Sequence, residues 1–422
     1  MKRKLTRLFS IIILLQAFAI PARAYCIKID IRGLDDQEIY LCRHYGSNSI
    51  IVDSTQAKGG NATFKCNVKL PLGIYFIKSQ ETKLFDFLLS SGKKMSIQGE
   101  YRNLPQSLKI NGDDQCKSFN EIQKQTNITS SSYKSIRDDN VHNEFIFKMF
   151  NMAYAAISSD VQCTDAMDFS DETLLNTPQY AFEKLLERYC IEQIDAYSND
   201  IATAIYNAEK LISKTGEKSE YHKFMLNYMM SRYENAENKK LETVFYELFQ
   251  KYYSAKPWWL SDYQYSVLKW KISVTKDNLI GLTGKEINLP DKDGTSQSLH
   301  EMKTKYKIVV FWDSECEVCI EAVTNLQTEY ASLKELDAEV YAVYTEAEYD
   351  QWKQYIVDNE LNWINVSDPE SSGTYEYDYG TYKTPRFYIL DEHNTIIAKD
   401  FNPAKTYETI IEYGKLYNRK KY

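Results

Sequence analysis

The sequence has no apolar run long enough to span a membrane. Its longest apolar stretch, residues 8–20, is shorter than the roughly 20 residues that a spanning helix needs. Basic residues precede this stretch and Ala22 and Ala24 follow it, which is the order of a secretory signal peptide. Cys26 follows the bulky Tyr25, where a lipoprotein signal has a small residue. We therefore predict cleavage after Ala24 and a soluble protein of the periplasm or cell envelope.

Basic side chains are outnumbered by acidic ones, and histidines are few. The chain has 51 Lys and Arg against 59 Asp and Glu. Loss of the predicted signal peptide removes five basic side chains, so 46 remain and the net charge becomes −13. Such a chain repels polyanions, so no nucleic-acid partner is expected. The five histidines are dispersed and no second cysteine pair has zinc-ligand spacing, so neither a metal nor another cofactor is predicted.

Eight cysteines are present, but only Cys316 and Cys319 have a spacing with a chemical meaning. Cys26, Cys42 and Cys66 lie on or beside predicted strands, and Cys26 is expected nearly opposite Cys42 across the first hairpin. A structural disulfide and buried free thiols are both open for these three. The sequence leaves three cysteines unassigned: Cys116, Cys163 and Cys190.

The mature chain of about 400 residues exceeds a single hydrophobic core, so two or three domains are expected. Residues 25–112 contain short strands separated by turn-formers, which predicts an antiparallel β-sandwich-like domain. Residues 113–276 have apolar residues mostly at three- and four-residue steps, which predicts a helical bundle. Residues 277–422 alternate strands and helices. After a signal peptide of residues 1–24, the predicted fold class is therefore multidomain α+β with a C-terminal α/β domain.

The chemistry is predicted where a buried strand ends in Phe311 and Trp312. A short loop follows, and then cysteines three residues apart open a helix. The helix start supplies unpaired N–H groups and a positive dipole end, which stabilise a thiolate on Cys316. Cys319 lies one turn further along the same face. We predict that Cys316 attacks a substrate disulfide and that Cys319 resolves the mixed disulfide.

A structural disulfide and a zinc site are the other uses of such a pair. The scarcity of further ligands disfavours zinc, and the place of the cysteines at a helix start favours redox chemistry over a structural role. A peroxidase of the peroxiredoxin type requires a Thr three residues before its cysteine, where this sequence has Asp313.

These features resemble the TlpA-like thioredoxin family over about a third of the chain. The resemblance rests on five segments: residues 278–281, 293–294, 311–319, 384–385 and 397–399. It implies a thioredoxin-like fold in which Cys316 and Cys319 are the redox pair and Pro385 is a cis-proline beside them. Thr384, Pro385 and Trp312 are then the expected substrate-binding residues, because the residue before the proline presents its backbone to an extended substrate.

The two other regions resemble known companions of thioredoxin domains. Residues 25–112 resemble an all-β domain of unknown function found in exported bacterial proteins, through motifs such as 38–41 and 72–76. Residues 168–171 and 247–253 resemble parts of a helical insert in exported proteins of the Bacteroidetes type. Neither resemblance brings catalytic residues.

Two departures from thioredoxin itself concern the proton relay and the loop. Val310 stands where thioredoxin has a buried acid, and Glu315 stands where it has an aromatic residue. Lys307 and Glu321 are candidates for the missing relay, and nothing in the sequence selects either.

Acidic side chains bracket the first cysteine: Asp313, Glu315 and Glu317. Negative charge disfavours a thiolate, so a more reducing couple than in strong oxidants is expected. Ser314 and Glu317 also fit a capping box, which would make Glu317 a helix starter. In the helical region, Thr177 is the predicted N-cap of a helix that begins at Pro178.

The sequence thus predicts an extracytoplasmic thiol–disulfide oxidoreductase that reduces or exchanges protein disulfides. Its expected partners are protein thiols and disulfides, with electrons from a membrane-linked thiol donor. The alternative is a binding or scaffold protein of the cell envelope whose disulfide is structural.

Overall fold

The computed structural model describes residues 25–66, 69–80, 82–90, 94–124, 128–346, 349–368 and 373–420. The predicted signal peptide lies outside these residues. No helix within the described ranges is long and apolar enough to cross a bilayer. The chain forms two compact units, one of Met1–Ala196 with Lys210–Lys223 and one of Tyr197–Glu209 with Phe224–Tyr422. The predicted domain boundaries at 112 and 276 remain predictions.

The first unit contains two four-stranded sheets that share one hydrophobic core. One sheet has the order β4-β1-β7-β8 and the other β3-β2-β5-β6. The strands are β1 (Tyr25–Arg32), β2 (Gln37–Tyr45), β3 (Asn48–Ala57), β4 (Asn61–Cys66), β5 (Gly73–Ser79), β6 (Thr82–Leu89), β7 (Met95–Glu100) and β8 (Lys109–Asn111). Buried and exposed positions alternate along β1, as in a strand with one face in the core.

Two predictions about these strands are corrected by the pairing. The β1–β7 pair is parallel, so the sheets are not wholly antiparallel. Cys26 on β1 and Cys42 on β2 lie in different sheets, and both thiols are free. The expected first hairpin fails because the β1 partners are β4 and β7, which follow later in the chain.

Helices follow the strands of the first unit. They are α1 (Asp114–Lys124), α2 (Tyr133–Asp139), α3 (Glu144–Ala155), α4 (Cys163–Ala166) and α5 (Phe182–Gln193), with α6 (Ile201–Ile212) and α7 (Glu220–Glu234) divided between the units. The predicted cap at Thr177 is wrong, because α5 begins at Phe182 and the Thr177 hydroxyl donates to the carbonyl of Leu174.

The second unit contains a five-stranded sheet of the order β13-β12-β11-β14-β15. After its parts of α6 and α7, the helices and strands of this unit, including those of the sheet, are α8 (Glu242–Tyr252), α9 (Asp262–Thr275), β9 (Asn288–Pro290), β10 (Ser296–Ser298), β11 (Tyr306–Trp312), α10 (Glu317–Glu335), β12 (Ala338–Tyr344), α11 (Tyr349–Asp358), β13 (Ile364–Ser367), α12 (Tyr375–Asp378), β14 (Arg386–Leu390), β15 (Ile396–Lys399) and α13 (Thr406–Lys420). Every residue of the central strand β11 is buried, because apolar clusters cover both faces of the sheet.

Candidate functional site

The two cysteines lie where β11 gives way to α10. Cys316 is the N-cap residue of α10, and its sulfur accepts a hydrogen bond from the backbone N–H of Cys319 at 3.3 Å. The predicted capping box is therefore wrong, since the Ser314 hydroxyl lies 3.1 Å from the Tyr344 hydroxyl and a cysteine sulfur takes the cap position. A sulfur in this position lies against the unpaired N–H groups of the first helical turn.

The two sulfurs differ in their exposure to solvent. The Cys316 side chain is partly exposed, whereas Cys319 is fully buried in the core beneath α10. Burial, together with the neighbouring Cys316, raises the pKa of the Cys319 thiol to about 12. The accessible sulfur is the one that a substrate disulfide can reach, and the buried sulfur stays a thiol at neutral pH.

The Thr384–Pro385 pair lies beside the cysteines. The peptide bond between the two residues is cis, as the sequence predicted. The Thr384 side chain is close enough to the Cys319 sulfur to lower the pKa of that thiol, against the larger effect of burial. Thr384 and Pro385 are both partly exposed, so the surface beside the redox pair includes this backbone.

The position of Trp312 contradicts the prediction that this residue binds substrate. Its side chain is fully buried, with ring centroids 5.7 Å from Tyr344 and 5.2 Å from Tyr355. The indole is therefore part of the hydrophobic core and is not accessible to a substrate.

The two candidates for the proton relay are placed differently. Val310 is fully buried, so no acid occupies its position. Lys307 lies at the opposite end of β11, roughly 17 Å from Trp312 along the strand. Its ammonium group donates to Asn394 and to the carbonyl of His300, and burial lowers its pKa. Glu321 is exposed on α10.

Sequence reasoning missed a group of buried polar residues on the face of the sheet opposite α10. Glu242, Asn278 and Lys399 are buried together there. A buried lysine on a strand that otherwise reads as apolar, at position 399, was the available signal.

Comparisons with known proteins agree with this geometry. The AhpC/TSA family matches residues 280–399, and a domain of unknown function (DUF4369) matches residues 25–119. The second match agrees with the resemblance of the N-terminal strands to a domain that precedes thioredoxin domains. No curated protein matches the chain.

Several solved structures are similar to parts of this chain. A domain of a possible thiol-disulfide isomerase from Cytophaga hutchinsonii is 27% identical, covers 33% of this chain and 97% of its own, and has a TM-score of 0.32. A thiol:disulfide interchange protein from Bacteroides sp. is 25% identical, with 32% and 90% covered and a TM-score of 0.30. A thioredoxin-like protein from Bacteroides caccae is 17% identical, with 73% and 94% covered and a TM-score of 0.41. The five-stranded sheet of parallel and antiparallel strands, the CxxC at the start of α10 and the match of residues 280–399 to the AhpC/TSA family show that the C-terminal part of the chain is a thioredoxin-like domain.

Proposed function

We propose that this chain is an extracytoplasmic thiol–disulfide oxidoreductase that reduces or exchanges protein disulfides. One observation carries the proposal. The partly exposed sulfur of Cys316 caps α10, while the buried sulfur of Cys319 lies one turn away beside the Thr384 side chain, and Thr384 directly precedes the cis-proline Pro385. The names of the structurally similar proteins agree with this activity.

The reaction follows from the two environments. The Cys316 thiolate attacks one sulfur of a substrate disulfide, the substrate S–S bond breaks, and the other substrate sulfur leaves as a thiolate that takes up a proton. Cys319 then loses its proton and attacks the Cys316 sulfur. This step forms the Cys316–Cys319 disulfide and releases the second substrate thiol. The protein dithiol has lost two electrons and the substrate disulfide has gained them.

Insulin reduction with dithiothreitol as electron donor tests the proposal. The wild type is expected to reduce insulin, and Cys316→Ser to abolish the reaction because it removes the attacking sulfur. The variant Cys319→Ser is expected to accumulate a mixed disulfide between Cys316 and insulin, visible on a non-reducing gel. Absence of activity in both the wild type and Cys316→Ser supports the scaffold alternative, in which the cysteine pair is structural.

The direction of electron flow is proposed to be reductive. Glu315 and Glu317 are exposed beside Cys316, and their negative charge opposes the thiolate that strong oxidants stabilise. Equilibration with glutathione is expected to show a reduction potential well below the about −120 mV of DsbA-type oxidants. A value near that of DsbA would overturn this direction. Repeated turnover then needs a thiol donor, for which a membrane-linked protein is the proposed source.

The location outside the cytoplasm is proposed from the N-terminal signal sequence. Expression of the full chain is expected to give a processed protein that begins at Tyr25 and fractionates with the periplasm or envelope. Edman sequencing checks the cleavage point. An unprocessed cytoplasmic product would contradict the location but not the chemistry.

A further inference from the structure

Four charged side chains form a cluster on the sheet face opposite α10. The Lys399 ammonium lies 2.5 Å from the Glu242 carboxylate, and both side chains are less than 10% exposed. The Arg386 guanidinium lies 3.0 Å from the Asp400 carboxylate. Tyr388, which belongs to the core on this face, is directly opposite Lys399 and accepts a hydrogen bond from Arg386. Two positive and two negative charges thus compensate one another, with the Lys399–Glu242 pair buried and the Arg386–Asp400 pair partly exposed.

Asn278 connects this cluster to the end of α9. Its side chain is fully buried, and its Oδ1 atom accepts a hydrogen bond from the Lys399 ammonium at 2.8 Å. Its Nδ2 atom donates to the carbonyl of Val274 in the last turn of α9 and, at 3.4 Å, to the carbonyl of Asp378. Every polar atom of this amide therefore has a partner in a different part of the unit.

The residues 379–385 form the segment that carries Thr384 and Pro385, and both of its ends are attached to the cluster. At the first end the Tyr379 carbonyl accepts a hydrogen bond from the Tyr388 hydroxyl at 2.5 Å. At the second end Arg386 follows Pro385 directly and pairs with Asp400. The N–H groups of Tyr379 and Thr381 also donate to the carbonyls of Tyr375 and Glu376 at the end of α12, which helps to hold the start of the segment. Residues 382–385 belong to no helix or strand, so the pairing of Arg386 constrains their position.

The same segment touches α9. Gly380 has a φ of +62°, and a Cβ atom added there would lie 3.0 Å from the Val274 carbonyl oxygen. The Tyr382 ring stands edge-on to Trp270 of α9, with centroids 4.7 Å apart. Helix α9 therefore packs against the start and the middle of the segment.

We propose that Glu242 and Lys399 are positioning residues of the redox site. Their buried ion pair, joined by Asn278 and the Arg386–Asp400 pair, holds the segment 379–385 so that the backbone at Thr384 is set to receive an extended polypeptide. Neither residue touches the reacting sulfurs. The pair consequently determines how well a polypeptide disulfide binds and does not alter the reactivity of Cys316. This inference rests on the proposed function.

The test compares a polypeptide disulfide with a small one. In Glu242→Gln the carboxylate charge is lost and Lys399 stays buried without its counter-ion. We expect the KM for insulin to rise about tenfold while kcat is unchanged, since ground-state positioning is lost and the chemical step is not. The rate constant of Cys316 in the reduced protein with 5,5′-dithiobis(2-nitrobenzoate) is expected to stay at the wild-type value. It is measured in a Cys26→Ser background, because Cys26 is also accessible.

Two further variants separate positioning from stability. Glu242→Asp keeps the charge with one methylene less, so its KM for insulin is expected between those of the wild type and Glu242→Gln. If Glu242→Gln does not fold, the KM for insulin of Glu242→Asp is compared with that of the wild type instead. Leu248→Ala removes a fully buried side chain from the same helix α8 without touching the cluster. It is expected to lower the thermal unfolding midpoint and leave the KM for insulin unchanged.

The outcomes are distinct. An insulin KM in Glu242→Gln equal to that of Leu248→Ala overturns the positioning role. An equal loss with the small disulfide also overturns it, because the effect would then lie at Cys316. A wild type that is inactive on insulin and on the small disulfide instead overturns the proposed function.

Discussion

The two cysteine side chains show how position alone makes identical residues chemically different. Cys316 lies at the helix start and is partly exposed to solvent, while Cys319 is buried beneath α10. The two residues are joined by a hydrogen bond that the backbone N–H of Cys319 donates to the Cys316 sulfur. An attacking and a resolving role are thereby divided between them before any substrate arrives.

Alkylation of the reduced native protein tests this difference. Iodoacetamide at neutral pH is expected to modify Cys316 within minutes and to leave Cys319 unmodified. Modification of Cys319 is expected to increase about tenfold per pH unit toward its pKa of about 12, because only the thiolate reacts. Peptide mass spectrometry measures both sites, and the urea-unfolded protein, in which both react, is the control. Faster labelling of Cys319 than of Cys316 contradicts the assignment.

Gly380 is a residue at which the backbone conformation itself is specific. Its φ of +62° and the 3.0 Å approach to the Val274 carbonyl oxygen both oppose a side chain. Gly380→Ala is expected to cost about 1–2 kcal/mol of folding free energy from the left-handed conformation alone. Urea unfolding measures the loss.

Gly414→Ala is the matched control in the same unit, since a Cβ added there meets only one atom, at 4.0 Å, within helix α13. We expect that substitution to be neutral or stabilising. Equal stability changes in the two variants would show that the segment 379–385 adapts freely to a side chain.

At the scale of elements, α9 is the helix whose end meets the segment 379–385. Its N-terminus is closed by a capping box, in which the Ser261 hydroxyl accepts from the N–H of Gln264 and the Gln264 side chain accepts from the N–H of Ser261. The four free N–H groups at a helix start make such a cap worth about 1 kcal/mol.

Ser261→Ala is therefore expected to destabilise the protein by about 1 kcal/mol, as measured by urea unfolding with tryptophan fluorescence. All six tryptophans belong to the second unit, so this signal reports on it. Ser266→Ala, an exposed position in the middle of α9, is the control and is expected to be neutral or slightly stabilising. If Ser261→Ala lowers the free energy of unfolding no more than Ser266→Ala does, water replaces the hydrogen bond of the Ser261 hydroxyl.

At the scale of the whole molecule, the cysteines divide into accessible and buried groups. Cys26 and Cys316 are partly exposed, whereas the side chains of four others outside the CxxC are buried: Cys42, Cys116, Cys163 and Cys190. Burial raises the pKa of Cys42 and of Cys116 to about 11. We therefore expect these buried thiols to be packing residues that take no part in exchange.

Differential labelling tests this division. Of the cysteine side chains that the structure describes, only Cys26 and Cys316 are expected to react with N-ethylmaleimide within minutes in the reduced native protein. The four buried thiols outside the CxxC are expected to react after unfolding in guanidinium chloride. Fast native labelling of any of these four would show that its part of the core opens readily.

How far the sequence predicted the molecule depended on the distance between the residues involved. Local patterns predicted the strand-rich start, the helical middle, the strand and helix alternation of the last part and the CxxC at a helix start. Each of these rests on periodicity or spacing within about 20 residues, which a single stretch of chain contains. The cis-proline came from the family resemblance, which local patterns alone do not supply.

Tertiary structure alone decided the rest. The parallel β1–β7 pair, the Cys316 sulfur in place of Ser314 as the cap of α10, and the burial of Trp312 all depend on what packs against these residues. The pairing of Glu242 with Lys399 joins residues that are far apart in the chain. No local pattern records such a contact, because a buried charge becomes favourable only when the fold brings its counter-ion to it.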